Sequence, residues 1–267
     1  MTEFDPQKLG TTDYNVTYCT QDGVKPGMDI YYPNVAGPWP AVVYIHGGGW
    51  MEGDKADVVT KPGDFGYLMA SINYRMYPAA RFPAMIEDVK CAIRFLRAHA
   101  RQYNLNPERI GLFGISAGGH LAALAGLADE SAGWDVGQYL DQSSRVQAVL
   151  SVCGPADLTK LFPEWVEEVK GNVFGAGQLA NSSPVNHARA GAPPFLIIHG
   201  DADEVVPVEQ SYLLRDALNA VQAPVEFLIV HNATHGMTPL AGPLDPPLEV
   251  VFQRAFAFLD RHLSFSK

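Results

Sequence analysis

The stretch RIGLFGISAG, residues 109–118, decides the fold of this chain. It begins as an apolar run typical of a buried strand, and the small residues GHLAALA at 119–125 that follow are typical of a packed helix. Gly114 and Gly118 flank Ser116 where the backbone doubles back and a Cβ would not fit. We predict a strand, a tight turn and a helix that hold the Ser116 hydroxyl exposed at the helix N-terminus. The alternative is a Gly/Ser turn that only ends a strand.

A second glycine-rich segment, HGGGW at 46–50, directly follows the apolar, β-rich run PAVVYI at 40–45. Consecutive glycines leave backbone N–H groups unshielded, so these groups can donate to a developing oxyanion. We expect the N–H groups of Gly48, Gly49 and Ala117 to form an oxyanion hole, with Trp50 closing the wall beside it and contacting substrate. The alternative is a flexible loop, which has no reason to follow a core strand and carry a bulky Trp.

Two later strands end in candidates for an acid and a base. The run PFLII at 194–198 leads into HGDAD at 199–203, and VEFLIV at 225–230 leads into HNATHG at 231–236. The candidates therefore follow the order Ser116, Asp203, His235, each just past the carboxyl end of a predicted strand, where open α/β sheets build their sites. In such a set the His takes the proton of the Ser and the Asp orients the imidazole.

With these motifs the chain resembles the α/β-hydrolase esterases of the hormone-sensitive-lipase-like group, and most of all their small BD-FAE-type branch. Besides HGGGW, the matching segments are GISAGGH at 114–120, GPADL at 154–158, HGDAD at 199–203 and HG at 235–236, with shorter matches DK at 54–55, NYR at 73–75, FP at 82–83, SP at 183–184 and VP at 206–207. Ile115 stands where the larger lipase relatives usually have Asp, which favours the small branch and leaves the preferred ester open.

The resemblance implies a serine carboxylesterase that hydrolyses short-chain esters, acetyl to butyryl, through a Ser116–His235–Asp203 triad and an acyl-enzyme. It implies no cofactor and no metal. The alternatives are a feruloyl or acetyl-xylan-type esterase, an aryl formamidase, a peptidase, and an inactive ligand-binding module. Gly49 counts against the formamidase, whose loop usually carries an aromatic residue there. The retained triad residues count against the inactive module.

Two other carboxylates compete for the acid role. The family pattern G-x-x-D-x-x-V-P selects Asp203, which leaves Asp201 as a turn residue that bonds the local backbone. Asp157 also follows a predicted strand and is the weaker alternative. We expect Arg75 and Asp88 to form a structural ion pair.

The remaining histidines are expected to be structural. His46 is predicted to pin the glycine loop, and His120 to be packed on the helix after Ser116. His231 and His235 have the i, i+4 spacing of a zinc pair, but their strand–loop setting spoils that geometry.

Alternating strands and helices predict one α/β domain over residues 1–267, with a mostly parallel sheet and helices on both faces. The predicted strands are 14–20, 28–32, 41–45, 67–73, 109–113, 146–153, 195–198 and 225–230, and the predicted helices are 83–101, 208–221 and 248–262. Residues 129–145 are predicted to be a loop. The segment 157–192 breaks the alternation, so we predict a short cap whose Phe162 and Trp165 contact substrate. The alternative is a surface excursion with its own small core.

Composition fits a globular enzyme, with 267 residues, 47% hydrophobic content and a net charge of −10. The acidic charge argues against nucleic acid and acidic membranes as partners. The resemblance implies a small-molecule ester as the substrate, and the choice between a monomer and a homodimer stays open. The N-terminal MTEFDP shows no signal peptide, and Cys19, Cys91 and Cys153 suggest free, buried thiols in a reducing compartment. We therefore expect a cytoplasmic location.

Overall fold

Residues 4–58, 66–160 and 162–263 are described by a computed structural model. The strands are β1 (Thr12–Thr17), β2 (Gly27–Tyr31), β3 (Trp39–Ile45), β4 (Leu68–Ile72), β5 (Leu105–Ile115), β6 (Ala148–Val152), β7 (Phe195–Gly200) and β8 (Val225–Val230). The helices are α1 (Ala84–Ala98), α2 (Ala117–Leu127), α3 (Glu164–Phe174), α4 (Glu209–Ala220) and α5 (Leu248–Leu263).

The strands form one eight-stranded sheet in the order β1-β2-β4-β3-β5-β6-β7-β8. Strand β2 runs antiparallel to both of its neighbours, and all pairs from β4 to β8 are parallel. The predicted mostly parallel sheet is therefore confirmed. Parallel strands place their carboxyl ends at one edge, so the segments after β3, β5, β7 and β8 meet there.

Both faces of the sheet are covered, as predicted. Val43 and Ile45 of β3 belong to a core that also contains residues of α1, α2 and α4. Val42 and Tyr44, which alternate with them, belong to a second core that contains residues of α5. This alternation follows from the period of two along a strand and explains why β3 reads as a continuous apolar run.

Element boundaries differ from the predicted ones mainly at the ends. Helix α1 begins after Pro83, as its pattern indicates, and ends three residues earlier than predicted, at Ala98 instead of Arg101. Strand β5 is longer than predicted and starts at Leu105. The predicted ion pair is confirmed, with Arg75 Nε 3.0 Å from Asp88 Oδ1 in the buried interior. The predicted loop 129–145 contains one short 3-10 turn and otherwise no helix or strand.

The prediction of three free cysteines is wrong. Cys19, in the segment after β1, and Cys91, in α1, form a disulfide across 72 positions of sequence, whereas Cys153 is free and buried. Disulfides persist in oxidising compartments and are rare in the cytosol, so this one weighs against the expected cytoplasmic location. None of the helices in the described ranges combines the length and the apolar character needed to cross a bilayer.

Candidate active site

The turn between β5 and α2 carries Ser116 in a strained conformation. Its φ of 56° and ψ of −121° are unusual for a residue with a side chain. Close backbone approach on either side requires glycine, since a Cβ on Gly114 would lie 2.0 Å from the Gly118 carbonyl oxygen, and one on Gly118 would lie 2.0 Å from that of Ile45. The Ser116 N–H donates to the Val152 carbonyl at 2.8 Å, which ties the turn to β6. The predicted strand, turn and helix are confirmed.

Two loops bring an imidazole and a carboxylate to this serine. His235 Nε2 lies 2.9 Å from Ser116 Oγ, and His235 Nδ1 lies 2.7 Å from Asp203 Oδ2. The other oxygen of Asp203 accepts the backbone N–H groups of Val205 and Val206, both at 2.8 Å. The structure thus joins the three predicted residues in one hydrogen-bonded chain, the arrangement that can turn a serine hydroxyl into a nucleophile.

The carboxylate of Asp203 is ionised at neutral pH. Burial raises its pKa, but hydrogen bonds from His199 and His235 outweigh burial and hold the pKa of Asp203 well below its usual range. An anion at this position requires His235 to keep its proton on Nδ1, which leaves the lone pair of Nε2 facing Ser116.

The competing carboxylates lie elsewhere. Asp201 bonds the exposed His231 at 2.7 Å and accepts the backbone N–H of Asn232 at 2.8 Å. Asp157 accepts the N–H of Thr159 at 3.0 Å and closes a local turn. The choice of Asp203 over both rests on this geometry as well as on the family pattern. His231 and His235 bond different carboxylates, so their i, i+4 spacing does not form a common metal site.

The glycine loop after β3 lies beside Ser116, because Gly48 and Gly49 line the same cavity. Gly48 and Gly49 have φ values of +99° and +57°, and a Cβ on Gly48 would lie 2.0 Å from the Glu52 carbonyl oxygen. His46 donates from Nδ1 to the Gly47 carbonyl at 2.7 Å and its ring stacks on Tyr74 with centroids 4.5 Å apart. These contacts match the predicted role of His46 in pinning the loop. Ala117 supplies a first-turn N–H of α2, a position where helices leave such groups unpaired.

Trp50 forms a wall of the site and is held by a buried histidine. Its indole N–H donates to His120 Nδ1 at 3.2 Å, and His120 Nε2 donates to the Ser182 carbonyl at 2.7 Å. The Phe174 ring of α3 lies against Trp50 edge to face, with centroids 4.9 Å apart. Burial lowers the pKa of His120 to about 4. The imidazole is therefore neutral at physiological pH, as its acceptor role toward Trp50 requires.

A mostly apolar cavity of about 500 Å³ opens beside Ser116. Its lining comprises Gly48, Gly49, Trp50, Met51, Glu52, Ser116, Ala117, Pro155, Val166, Val169, Val205, Val206 and His235. Val166 and Val169 come from α3, so this helix of the predicted cap faces the candidate nucleophile. Val205 and Val206 come from the loop that carries Asp203.

The three aromatic residues predicted to contact substrate differ in their position relative to the cavity. Trp50 lines the cavity, as expected. Phe162 is not among the described lining residues and packs in the core under Lys170, whose Nζ lies 5.0 Å from the ring centroid, so its contact with substrate stays a prediction. The side chain of Trp165 lies outside the described part of the chain. The valines one turn further along α3 were missed because an aromatic residue is the stronger sequence signal for a binding pocket.

Comparisons with known proteins place this chain in a family. The family model described as BD-FAE matches residues 28–218. The chain belongs to the BD-FAE family. This match runs from β2 through most of α4 and includes the glycine loop, Ser116 and Asp203, while His235 lies beyond it.

Curated relatives of this BD-FAE chain carry esterase names. A probable carboxylic ester hydrolase, LipM of Mycobacterium tuberculosis, is 33% identical over 218 residues, which are 76% of this chain and 49% of LipM. The isoprenylcysteine alpha-carbonyl methylesterase of Arabidopsis thaliana is 29% identical over 81% of this chain and 55% of its own length. The chain thus spans about half the length of the curated relatives it matches.

Solved structures cover the BD-FAE chain almost completely. A truncated carbohydrate esterase from gut microbiota superposes with a TM-score of 0.80 at 27% identity, over 99% of this chain and 100% of that one. Thermogutta terrifontis esterase 2, phosphonylated by sarin, superposes with a TM-score of 0.79 at 26% identity, over 94% and 93% of the two chains. Together with the sheet described above, these likenesses show the α/β-hydrolase fold that the sequence predicts.

Proposed function

We propose that this chain is a serine carboxylesterase with Ser116, His235 and Asp203 as its catalytic residues. The observation that carries the proposal is the continuous hydrogen-bonded chain from Ser116 Oγ through His235 to Asp203 Oδ2, with contacts of 2.9 and 2.7 Å. The esterase names of the family relatives support the same reaction class.

The chemistry follows from which atoms face one another. Ser116 Oγ attacks the ester carbonyl as its proton passes to His235 Nε2, and the imidazolium is stabilised by Asp203. The proton then goes to the leaving alcohol, and water hydrolyses the acyl-enzyme by the same steps in reverse order. The N–H groups of Gly48, Gly49 and Ala117 donate hydrogen bonds to the former carbonyl oxygen, which carries the negative charge. Each such donor contributes about 3 kcal/mol of transition-state stabilisation.

The cavity favours short acyl chains. Val166, Val169 and Val205 line the space beside Ser116, and α3 is an 11-residue helix rather than a long lid. Each methylene adds about 0.8 kcal/mol only while the pocket has room for it. We infer acetyl to butyryl esters as the best substrates, with activity that falls beyond about eight carbons and does not rise at a lipid–water interface.

The comparisons also point to esters of other alcohols as substrates to be tested. A structural neighbour is a carbohydrate esterase and one curated relative is a methylesterase, so acetylated sugars and methyl esters belong in the substrate panel. The apolar side chains along the cavity favour small alkyl and aryl esters over sugar hydroxyls. N-formylkynurenine and methyl ferulate test the formamidase and feruloyl alternatives.

The decisive experiment replaces the nucleophile. Ser116→Ala should abolish hydrolysis of p-nitrophenyl butyrate down to the residual of binding and the oxyanion hole, with an unchanged circular dichroism spectrum. Ser131→Ala, at an exposed position outside the site, should keep full activity. An organophosphonate should label the wild-type chain once, on Ser116, by peptide mass spectrometry. A folded Ser116→Ala protein with wild-type turnover, or a label on another residue, would refute the proposal.

A further inference from the structure

The candidate catalytic acid contacts a second, fully buried histidine. His199, in β7, is 0% exposed, and its Nε2 lies 3.0 Å from Asp203 Oδ2 and 2.9 Å from the Val206 carbonyl oxygen. Both partners are acceptors, so Nε2 carries the proton and donates to them. On the other side of the ring, His199 Nδ1 lies 2.6 Å from Ser211 Oγ of α4. The ring is thus fixed from both ends.

This histidine takes part in the only compact group of potential metal-ligating side chains within the described ranges. Cys153, His199 and Asp203 place their ligand atoms within 4.8 Å of one another. A metal would need the lone pair of His199 Nε2, but that nitrogen faces two oxygens and holds a proton. Burial raises the pKa of the Cys153 thiol, which keeps it neutral. The group therefore surrounds Asp203 with hydrogen-bond donors instead of binding a cation.

The same carboxylate oxygen serves both imidazoles. Asp203 Oδ2 accepts from His199 Nε2 and from His235 Nδ1, while Oδ1 is occupied by two backbone N–H groups. A second donor on one oxygen withdraws charge from it, so that oxygen holds a protonated partner less tightly. It also fixes the rotation of the carboxylate, which determines where the His235 ring points.

We propose that His199 is a positioning residue that orients Asp203 and limits how strongly Asp203 retains a proton on His235. This inference rests on the proposed esterase reaction, because it assigns a role within that triad. With His199 in place, His235 is released as a free base at lower pH, and Ser116 can be deprotonated there. Without the Nε2 donor, Asp203 favours the protonated form of His235 and the carboxylate gains rotational freedom.

Other groups near the triad do not account for this effect. Glu204 accepts the backbone N–H of His235 at 3.2 Å, but its carboxylate is exposed and is the same in every His199 variant. Cys153 is a neutral thiol packed behind Asp203, and Ser211 carries no charge. A change in the pH profile on replacement of His199 therefore reports the loss of the Nε2 donor.

Two substitutions distinguish the contacts that the two nitrogens of the His199 ring make. His199→Gln places an amide nitrogen close to the former Nε2 and keeps a donor for Asp203. His199→Asn reaches only the former Nδ1 position, so it keeps a partner for Ser211 and loses the donor to Asp203. Both are polar amides at the same buried position, which makes each the control for the other.

The experiment measures kcat and KM for p-nitrophenyl butyrate between pH 5 and 9 for the wild type and both variants. We expect His199→Asn to shift the acidic limb of kcat/KM upward by about half a unit to one unit and to lower kcat about tenfold, with KM within about twofold of wild type. We expect His199→Gln to return the acidic limb of the kcat/KM profile to its wild-type pH and to bring kcat within about threefold of the wild-type value. A purely structural role would lower the amount of folded enzyme without moving the limb.

The outcomes are distinguishable from failure of the esterase proposal. If the wild type shows no hydrolysis that depends on Ser116, the proposed function is wrong. If the wild type is active and His199→Asn keeps the wild-type limb and kcat, or His199→Gln is no better than His199→Asn, the positioning role is wrong. Should His199→Asn fail to fold, ¹⁵N spectra of histidine-labelled wild type decide the matter, because an Nε2 of His199 without a proton at pH 7 overturns the inference.

Discussion

Acid should destabilise this protein through His120, and the structure sets the size of the effect. Burial lowers the pKa of His120 from 6.5 to about 4 in the folded chain, where Nδ1 accepts the Trp50 indole N–H. The unfolded chain binds a proton at this residue below pH 6.5, while the folded chain stays neutral until about pH 4. Stability is therefore lost progressively as the pH falls through this window and is unaffected by His120 above it.

The loss can be calculated from the two pKa values. It amounts to about 1 kcal/mol at pH 5.5 and about 3 kcal/mol at pH 4.5, a large fraction of the stability of an ordinary domain. Other titrating groups also change the stability in this range, so the measurement must compare the wild type with a variant that lacks only this imidazole. His120→Gln meets this need because it keeps a donor for the Ser182 carbonyl and does not titrate.

The assay is urea unfolding of both proteins at pH 7.5, 5.5 and 4.5. We expect His120→Gln to be less stable than wild type at pH 7.5, because Trp50 loses its acceptor, and the difference in unfolding free energy between the two proteins to shrink by about 3 kcal/mol at pH 4.5. Val42→Ala, a packing change in the second core on the other face of the sheet from α2, should show a difference that does not change with pH. If the difference in unfolding free energy between His120→Gln and wild type is equally independent of pH, His120 is not a buried, neutral imidazole.

Three further predictions concern the acid, the pocket and the disulfide. Asp203→Asn should lower kcat by about four orders of magnitude by favouring the wrong tautomer of the imidazole, whereas Asp201→Asn should stay within about threefold of wild type, both measured as initial rates on folded protein. Val169→Ala should raise kcat/KM for hexanoate relative to butyrate by about fourfold for each methylene that it admits, and an unchanged ratio would place the acyl chain elsewhere. Unreduced, denatured protein should show one titratable thiol, and replacing Cys19 and Cys91 together by Ser should lower the free energy of unfolding by about 4 kcal/mol, as loop closure predicts.

The backbone framework of the candidate site could be predicted because its geometry restricts its sequence. The turn at Ser116 needs glycine at 114 and 118, since any Cβ would meet a carbonyl oxygen, and the glycine loop needs positive φ at Gly48 and Gly49. Such constraints leave short, fixed motifs. The position of the candidate acid after β7 and that of the candidate base after β8 follow from the parallel arrangement of these strands.

The features that the sequence did not reveal depend on contacts between distant segments. Phe162 lies at the start of the cap, yet its ring turns into the core beneath Lys170, a choice made by packing rather than by local pattern. Cys19 and Cys91 are too far apart in sequence for their spacing to reveal a bond. Their pairing requires that the segment after β1 lie against α1, which only the assembled sheet determines.

Three buried histidines brace the site, and their positions share one physical cause. His46 holds the glycine loop, His120 holds Trp50, and His199 holds Asp203. Two of them are followed by glycine and lie at the carboxyl end of a parallel strand, and the third lies in the helix after Ser116, so all three are close to the edge of the sheet that carries the candidate site. His120 shows what a buried imidazole offers, because in its neutral form it donates to the Ser182 carbonyl and accepts the Trp50 N–H, which neither a carboxylate nor an ammonium group can do without a counter-charge. Burial lowers the pKa of His46 and of His120, so these two rings support the loop and Trp50 as neutral groups, and His199 fixes the carboxylate of the candidate acid by a hydrogen bond.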